Sequence, residues 1–335
     1  MIDSLLQVDF WDVGQGDCTV IRLPSGKLII IDVGPVGSPL VDWLNERHPP
    51  LPIEAIVLTH NDADHAGALA SIVKPHGTRI GSIRMLLDRD RDSQQFQKIF
   101  RAAKEGVDRG LYPLDRLERG TILWSHHETE THLRVVHPSF VENVEATNPN
   151  DTSAVLVLTS GPKTLIAWPG DLEIRQTARV LGNVDATLLF GPHHGGPTDY
   201  PTKAVRKRNP ELMVSRMREI REAVASLSPV RSFISVGTKN PYHHPRPGFI
   251  KLLARNETRV TCSQLTLCCD RHHVQAGQHV FPGAGVLGLR PARSGVSCRG
   301  AMRYYVHNGA LLPDEFAAEH RTRVAQLLRP QCLRR

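Results

Sequence analysis

The chain has 335 residues, of which 40% are hydrophobic and 22% charged, and this composition excludes a disordered or fibrous protein. Its length allows one large domain, or a large domain with an appendage. The formal net charge of +7 is only weakly indicative of an anionic partner, because a modest basic excess also serves solubility.

The sequence gives no sign of a membrane span. The longest apolar stretches, at residues 28–31 and 154–158, are far too short to cross a bilayer, and the first residues lack a basic segment followed by an apolar one. The six cysteines lack the framework of small secreted domains. We therefore expect a cytoplasmic protein with no disulfides and no membrane partner.

Alternating and apolar runs predict strands in chain order, beginning with a β-meander. The meander covers residues 8–13, 19–22 and 28–32. A buried-type strand at 55–59 then delivers His60 at its carboxyl end, and a helix begins at 66–70. Later strands are expected at 133–137, 155–159, 164–168, 186–190 and 232–236. A strand, a polar loop and a helix in succession are typical of an active site on an α/β scaffold.

Basic residues concentrate in one later segment. Residues 203–231 hold eight Lys or Arg against three Glu, which accounts for five of the seven net positive charges. Leu212, Met213, Met217, Ile220 and Val224 recur at helical spacing, so we expect an amphipathic helix with a basic outer face. On the charge pattern alone, a solvated face and a contact with a polyanion are equally good interpretations.

The run from residue 60 to residue 65 places four potential metal ligands within six residues: His60, Asp62, Asp64 and His65. Two carboxylates and two imidazoles that converge after a strand would suffer desolvation and mutual repulsion unless something strongly positive joined them. A bound metal removes that conflict. The alternative, a polar surface turn with coincidental histidines, explains this spacing less well.

This motif resembles the metallo-β-lactamase superfamily, and within it the hydrolase domain of the ComEC/Rec2-like competence proteins, which carry His-x-Asp-x-Asp-His in place of the commoner His-x-His-x-Asp-His. Further blocks similar to that family follow in family order, at 10–17, 31–34, 150–153, 169–171, 192–195 and 235–245. The resemblance implies the metallo-β-lactamase fold, a four-layer αββα sandwich of the α/β class, over residues 1–255. Residues 256–335 are expected to form a C-terminal extension packed on it.

The resemblance also implies a site for two divalent metal ions. The implied ligands are His60 and Asp62 for one ion, Asp64 and His65 for the other, Asp171 between them, and one of His193 and His194 to complete the second site. His194 is the preferred member of its pair because it precedes Gly195. Two ions roughly 3.5–4 Å apart can share a hydroxide that attacks the substrate.

One part of the family pattern is missing. The superfamily's third ligand to the first ion is usually a histidine, whereas the matching loop here is Asn-Asp-Thr-Ser at 150–153. Asp151 and His137 are the available substitutes. A carboxylate at Asp62 in place of an imidazole shifts the preference from zinc toward Mn²⁺ or Mg²⁺ without excluding zinc.

Other residues are expected to act on the substrate. The expected catalytic residues are Asp64, His244 and Asp32, the last of which would orient the metal-binding loop. His244 lies in a loop that resembles the family's Tyr-x-His-Pro element, from which it would protonate a leaving group or hold a phosphate oxygen, unless its role is structural. The expected substrate-binding cations are Arg206, Lys207, Arg208 and Lys239.

The last eighty residues carry less information. Residues 258–269 alternate like a strand, and residues 317–328 are typical of a short helix. Cys262, Cys268, Cys269, His272 and Cys298 would suffice for a zinc site, but they lack paired Cys-x-x-Cys spacing. The spacing therefore favours buried free thiols.

Three function classes compete. We favour a metal-dependent phosphodiesterase or nuclease that acts on nucleic acid or another phosphodiester through a hydroxide bound to two metals. The hydrolase domain of the competence family is associated with degrading a DNA strand. The alternatives are a hydrolase of a small uncharged lactone, thioester or amide, and a non-catalytic nucleic-acid-binding module. An uncharged substrate gives no reason for the basic segment, and the intact Asp64, His65 and Asp171 argue against a non-catalytic module.

Overall fold

The structure is a computed structural model that describes residues 5–86, 94–146, 148–196, 207–312 and 314–333. The strands in these residues are β1 (Leu6–Phe10), β2 (Cys18–Arg22), β3 (Leu28–Val33), β4 (Ile53–Val57), β5 (Ile83–Met85), β6 (Leu114–Arg116), β7 (Ile122–His126), β8 (Thr131–His137), β9 (Val155–Ser160), β10 (Lys163–Trp168), β11 (Leu188–Phe190), β12 (Arg231–Ile234), β13 (Arg259–Cys262), β14 (Met302–His307) and β15 (Ala310–Leu311).

The helices are α1 (Pro39–Glu46), α2 (Ala63–Ala66), α3 (Leu69–His76), α4 (Gln94–Asp108), α5 (Phe140–Glu145), α6 (Ile174–Leu181), α7 (Pro210–Leu227), α8 (Pro247–Arg255), α9 (Arg271–Ala276), α10 (Gly283–Val286) and α11 (Ala317–Val324). Short 3₁₀ turns lie at Gly77–Arg79, Pro149–Thr152, Pro192–Gly195 and Gln331–Leu333. No helix of this described part is both long and apolar enough to cross a membrane.

The strands form two sheets. The first has the order β15-β14-β1-β2-β3-β4-β5-β6, and the second has the order β13-β12-β11-β10-β9-β8-β7. An apolar core lies between them, where the rings of Phe10, Phe190 and Phe233 are 5.3–5.6 Å apart. Aromatic pairs at this separation stabilise a core beyond the area they bury.

Helices cover the outer face of each sheet. Leu40 of α1, Ile72 of α3 and Ile99 of α4 belong to the core behind the first sheet. Ile220 of α7 and Phe249 of α8 belong to the core behind the second. The predicted four-layer αββα sandwich is therefore confirmed.

The basic segment contains a helix, as its periodicity predicts, but only part of the segment is helical. The helix α7 begins at Pro210, where the side chain of Asn209 accepts a hydrogen bond from the Leu212 amide. Proline at the first position and asparagine as the cap are favourable at a helix start. Ile220 and Val224 are buried as expected, whereas Leu212 is exposed.

The C-terminal residues are part of both sheets. Strand β13 extends the second sheet beside β12, and β14 pairs with β1 in the first. The strand expected over 258–269 covers only Arg259–Cys262, and the helix expected over 317–328 ends at Val324. The segment expected to pack on the sandwich as an extension thus also supplies strands to it.

Candidate metal centre

Strand ends from both sheets supply the candidate site. In the first sheet β3 and β4 are parallel, and in the second β10, β11 and β12 are parallel. The carboxyl ends of parallel strands meet at the same edge of a sheet. Asp32 and His60 therefore lie at one edge, and Asp171 and His194 lie at the edge that faces it.

Three atoms form the tighter of two groups of potential ligands. Nε2 of His65 lies 3.2 Å from Oδ1 of Asp171 and 3.3 Å from Nε2 of His194. The remaining pair, His194 and Asp171, is separated by 3.6 Å. Ligand atoms around a tetrahedral zinc ion with bonds of about 2.0–2.1 Å are about 3.3 Å apart. The spacing of these side chains therefore fits a divalent ion, with Oδ2 of Asp64 a further 3.3 Å from Nε2 of His194.

The second group is wider and partly open to solvent. Nε2 of His60 lies 3.5 Å from Oδ2 of Asp171 and 3.8 Å from Oδ2 of Asp62. Nε2 of His60 is buried and has no hydrogen-bond partner among the described residues, whereas half of the Asp62 side chain is exposed. Nε2 of His193 lies 3.7 Å from the same oxygen of Asp171. A buried imidazole nitrogen without a partner is a position that a metal ion would satisfy.

The two groups meet at Asp171, which offers one carboxylate oxygen to each. The amide of Asp171 donates a 2.9 Å hydrogen bond to Oγ of Ser153, which holds the loop in place. Gly170 precedes it with φ of 55°, and a Cβ there would lie 2.3 Å from the same Oγ. Only glycine allows the loop to pass this close to Ser153.

The adjacent histidines His193 and His194 both have a left-handed backbone, with φ of 45° and 52°. This conformation is costly for residues other than glycine and persists where the surrounding structure enforces it. Nδ1 of His194 donates to the carbonyl of Ser235 at 3.0 Å, which leaves Nε2 free to face Asp64 and His65. The strain therefore serves to aim the imidazole rings at the ligand groups.

Asp17 is a site residue that the sequence analysis missed. Its carboxylate lies 3.2 Å from Nδ1 of His194 and 3.9 Å from Nδ1 of His65. Asp17 faces the Nδ1 edges of both rings, and this geometry suits a residue that orients the rings. Its oxygens are also close enough to His65, Asp171 and His194 to bind an ion directly. A single carboxylate after a glycine turn has no spacing that marks it as a site residue.

The electrostatics of the centre favour a cation. Burial lowers the pKa of His65, but the carboxylates of Asp171, Asp17 and Asp32 raise it well above its ordinary value. Burial raises the pKa of Asp171, but the neighbouring imidazoles, above all His65, hold it well below its ordinary value. Buried carboxylates that attract this much positive charge are satisfied by a divalent ion.

A loop after β12 forms one rim of the site. The ring of His244 is buried and lies 5.4 Å from that of His193 and 6.3 Å from that of His194. Burial and then these two neighbours lower the pKa of His244 to about 3. The exposed Tyr242 ring is 5.7 Å from His244, and the Arg246 amide donates to the carbonyl of Gly195. The loop therefore brings an aromatic side chain and a cation to the opening of the site.

Neither substitute expected for the missing third ligand is in a ligand group of the described residues. His137 hydrogen-bonds the carbonyl of Asp151 at 2.9 Å, and the Asp151 carboxylate accepts from Gln176. Ser153, two residues further on, faces the site instead, with Oγ 3.4 Å from Nδ1 of His60. Asp151 lies in the 3₁₀ turn at Pro149–Thr152, and its carboxylate contacts Gln176 instead of either ligand group.

The expected substrate-binding cations that the structure describes lie on the surface. The side chains of Lys207, Arg208 and Lys239 are exposed, and Arg206 lies outside the described residues. Within α7, Arg216 lies 3.3 Å from Glu219, and Arg218 lies 3.9 Å from Glu222. Part of the helix's positive charge is therefore already balanced, whereas Arg221 within the helix and Lys207 and Arg208 before it are exposed.

Comparison with known proteins agrees with this arrangement. Residues 11–137 match the family model described as the metallo-beta-lactamase superfamily. ComE operon protein 3 from Bacillus subtilis strain 168 is 26% identical over 277 residues, which cover 76% of this chain and 31% of the relative. Recombination protein 2 from Haemophilus influenzae is 25% identical over 265 residues, which cover 76% and 27%. The chain thus spans less than a third of the length of these curated relatives.

Two solved structures are also similar. Igni18, a metallo hydrolase from the archaeon Ignicoccus hospitalis, aligns with a TM-score of 0.42 and 15% identity over 76% of this chain and 94% of its own. YhfI from Bacillus subtilis, a metallo-beta-lactamase fold protein, aligns with a TM-score of 0.43 and 11% identity over 77% and 96%. The family match over residues 11–137, the sequence relatives and the two-sheet architecture thus show that the chain is similar to the metallo-β-lactamase superfamily and, in sequence, to the ComEC/Rec2 proteins.

Proposed function

We propose that the protein is a two-metal phosphodiesterase that cleaves nucleic acid. The observation that carries the proposal is the position of Asp171, whose two oxygens face two separate groups of ligand atoms. A shared carboxylate is the usual bridge in two-metal hydrolytic sites.

The side chains fit two ions. His65, His194, Asp64 and one oxygen of Asp171 would hold one ion, and His60, Asp62 and the other oxygen of Asp171 would hold the second, with His193 beside it. The buried, unpartnered Nε2 of His60 and Oδ1 of Asp171 support this fit. Two divalent ions bound there would supply an activated water and stabilise negative charge on the attacked phosphate.

Residues around the ligands would position the reaction. Asp32 and Asp17 would hold the histidine rings by their Nδ1 edges, so that Nε2 faces inward. His244 would contact the substrate at the rim, where its N–H suits a phosphate oxygen. Loop 238–246 would close one side of the cleft and limit access of water.

Several features favour a nucleic-acid substrate over a small uncharged one. Arg246 and Lys239 are exposed in the loop that carries His244, and Lys207 and Arg208 are exposed before α7. Cations near a cleft attract a phosphate backbone, whereas an ester or lactone has no charge to recognise. One relative is named Recombination protein 2, and recombination is a process that acts on nucleic acid.

A substrate panel tests the proposal. The full chain, loaded with Mn²⁺ or Zn²⁺, is assayed on labelled single-stranded DNA, duplex DNA, RNA, bis-p-nitrophenyl phosphate, a lactone and a thioester. We expect cleavage of at least one nucleic acid and of the small phosphodiester, and its loss in Asp171→Asn. Asp151→Asn is the matched control, because Asp151 is nearby but outside both ligand groups. Turnover of the lactone or thioester alone would refute the nuclease proposal.

A further inference from the structure

One small cavity in the C-terminal segment is lined by the exposed Cys268 and by four cysteines that are more buried. These four are Cys262 at the end of β13, Cys269 before α9, Cys298 before β14 and Cys332 in the last 3₁₀ turn. The cavity has a volume of about 20 Å³, enough for one water molecule or one ion. Five of the six cysteines in the chain thus line this cavity, and so does Pro245, the residue after His244.

Backbone hydrogen bonds fix the segments that carry these thiols. The Cys298 amide donates to Ser263, and the Arg299 amide donates to Cys262, which joins two of the segments. The Arg329 amide donates to the carbonyl of Cys269 at 2.9 Å, and Nε2 of Gln331 donates to that of Cys268 at 3.0 Å. The chain around Cys332 is therefore attached to the turn that carries Cys269.

The four thiols are close enough to influence one another. Burial, followed by the neighbouring Cys262, Cys332 and Cys269, raises the pKa of Cys298, while Arg299 lowers it. Burial and then Cys269 raise the pKa of Cys332 to about 12, against a lowering effect of Arg321. Arg299 and Arg321 thus favour the thiolate forms to a small extent, since the guanidinium of Arg299 is already paired with the carboxylate of Asp314.

The hydrophobic core around the cavity is small. Its buried members are Leu265, Val280, Val296, Cys298, Val324 and Leu327. A satellite core of this size contributes little stability of its own, and a structural metal would add to it. Each of the six cysteines is free of a disulfide.

We propose that Cys262, Cys269, Cys298 and Cys332 form a structural thiolate site for a soft divalent cation, with zinc the best fit. Binding would release the thiol protons and form four metal–sulfur bonds, which join β13, the turn at 266–270 and the C-terminal turn. No three of these sulfurs lie within 4.8 Å of one another among the described residues, unlike the atoms of the catalytic centre. Binding therefore requires the cysteine side chains to rotate about χ1 toward the cavity.

Cobalt substitution tests the site, because the catalytic centre has no sulfur ligand. The full chain is produced in zinc-free medium with Co²⁺, its metal content is measured, and its near-ultraviolet absorption is recorded. We expect the charge-transfer band of thiolate-bound Co²⁺ and one metal ion per chain beyond those of the catalytic centre. The band must persist in Asp64→Ala, which alters only the catalytic ligands. A cobalt-loaded protein without that band would overturn the proposal.

Adjacent cysteines provide a matched pair of variants. Cys269→Ser should lose the thiolate band and one ion per chain, whereas Cys268→Ser, whose side chain is exposed although it also borders the cavity, should keep both. If Cys269→Ser does not fold, the presence or absence of the thiolate band in the unmodified cobalt-loaded chain still tests the proposal. A band of equal strength in folded Cys262→Ser, Cys269→Ser, Cys298→Ser and Cys332→Ser proteins would show that other groups bind the cobalt.

Discussion

Asp32 and His65 are joined by a 2.9 Å hydrogen bond from Nδ1 to Oδ2, and the same carboxylate accepts hydrogen bonds from the amide and hydroxyl of Thr59. The backbone of Asp32 is left-handed, with φ of 54°. Asparagine tolerates that conformation well, so Asp32→Asn changes the charge without straining the chain. The structure thus offers a variant that tests orientation of a ligand separately from the ligand itself.

The first prediction follows from this contact. Asp32→Asn should weaken metal binding by about 10- to 100-fold, because a neutral amide holds His65 less firmly in the tautomer that exposes Nε2. Metal titration followed by activity at saturating metal would measure both effects. Unchanged affinity and unchanged activity would mean that Asp32 only supports the fold of its loop.

The second prediction concerns Asp64. Asp64→Ala should abolish hydrolysis and reduce the metal content from about two ions per chain to about one, because Asp64 faces the free nitrogen of His194. Circular dichroism would establish that the variant is folded. Full activity in a metal-depleted Asp64→Ala protein would be incompatible with the proposed mechanism.

The third prediction concerns the identity of the ions. Asp62 supplies a carboxylate where the superfamily more often has an imidazole, and oxygen ligands favour harder ions. Mn²⁺ should therefore restore activity to the apo-protein at least as well as Zn²⁺. Reactivation by Zn²⁺ alone across a titration of both ions would contradict this expectation.

The fourth prediction tests the basic segment. Replacing Arg206, Lys207 and Arg208 together with Gln should weaken nucleic-acid binding across sequences and flatten its salt dependence by up to about three units, roughly one per lost phosphate contact. Turnover of bis-p-nitrophenyl phosphate should be nearly unchanged, because it is too small to reach the segment.

A matched control removes the same charge elsewhere. Arg101, Lys104 and Arg109 are exposed in and after α4, which covers the other sheet. Their triple replacement with Gln should leave the salt dependence of binding as it is in the parent. Equal effects of the two triple variants would mean that total charge, and not this segment, determines binding.

The fifth prediction concerns acid stability. Burial and the neighbouring Arg79 lower the pKa of His76 from 6.5 to about 4. As the pH falls, protons therefore bind to His76 in the unfolded chain first. The contribution of neutral His76 to the free energy of unfolding is fully present above pH 6.5 and is lost as the pH falls toward 4. In His76→Leu the free energy of unfolding should decrease by roughly 1 to 3 kcal/mol less than in the parent over this pH range. Denaturant unfolding of both proteins at several pH values would measure it, and parallel pH profiles would exclude His76 as a contributor.

Local patterns predicted much of the architecture. Strands β3 and β4 follow from continuous apolar runs, and the density of potential ligands between His60 and His65 by itself indicates a metal site. The first strand was displaced, since it covers Leu6–Phe10 instead of 8–13. The apolar Trp11 and Val13 continue the pattern of the strand, but they pack in the core behind the first sheet.

The features that the sequence does not predict depend on contacts between residues that are far apart in the chain. Asp17 joins the site because Gly16 packs on the carbonyl of Asp64, where a Cβ would lie 2.2 Å away. Cys332 lines the same cavity as Cys262 although it lies seventy positions further along the chain, so spacing rules for short Cys-x-x-Cys knuckles do not include it. Neither relationship leaves a periodic or local signal in the sequence.

The pairing of β1 with β14 has a consequence for how the chain reaches its fold. Leu6 is opposite Val306, so the first strand meets one of its two neighbours only after 300 further residues have been synthesised. Pairings of such long sequence separation slow folding, because the loop must close before the contact forms. Until then one edge of an apolar strand is exposed, and partly synthesised chains should aggregate more readily than the finished protein. Expression at reduced temperature or with chaperones should therefore increase the soluble yield.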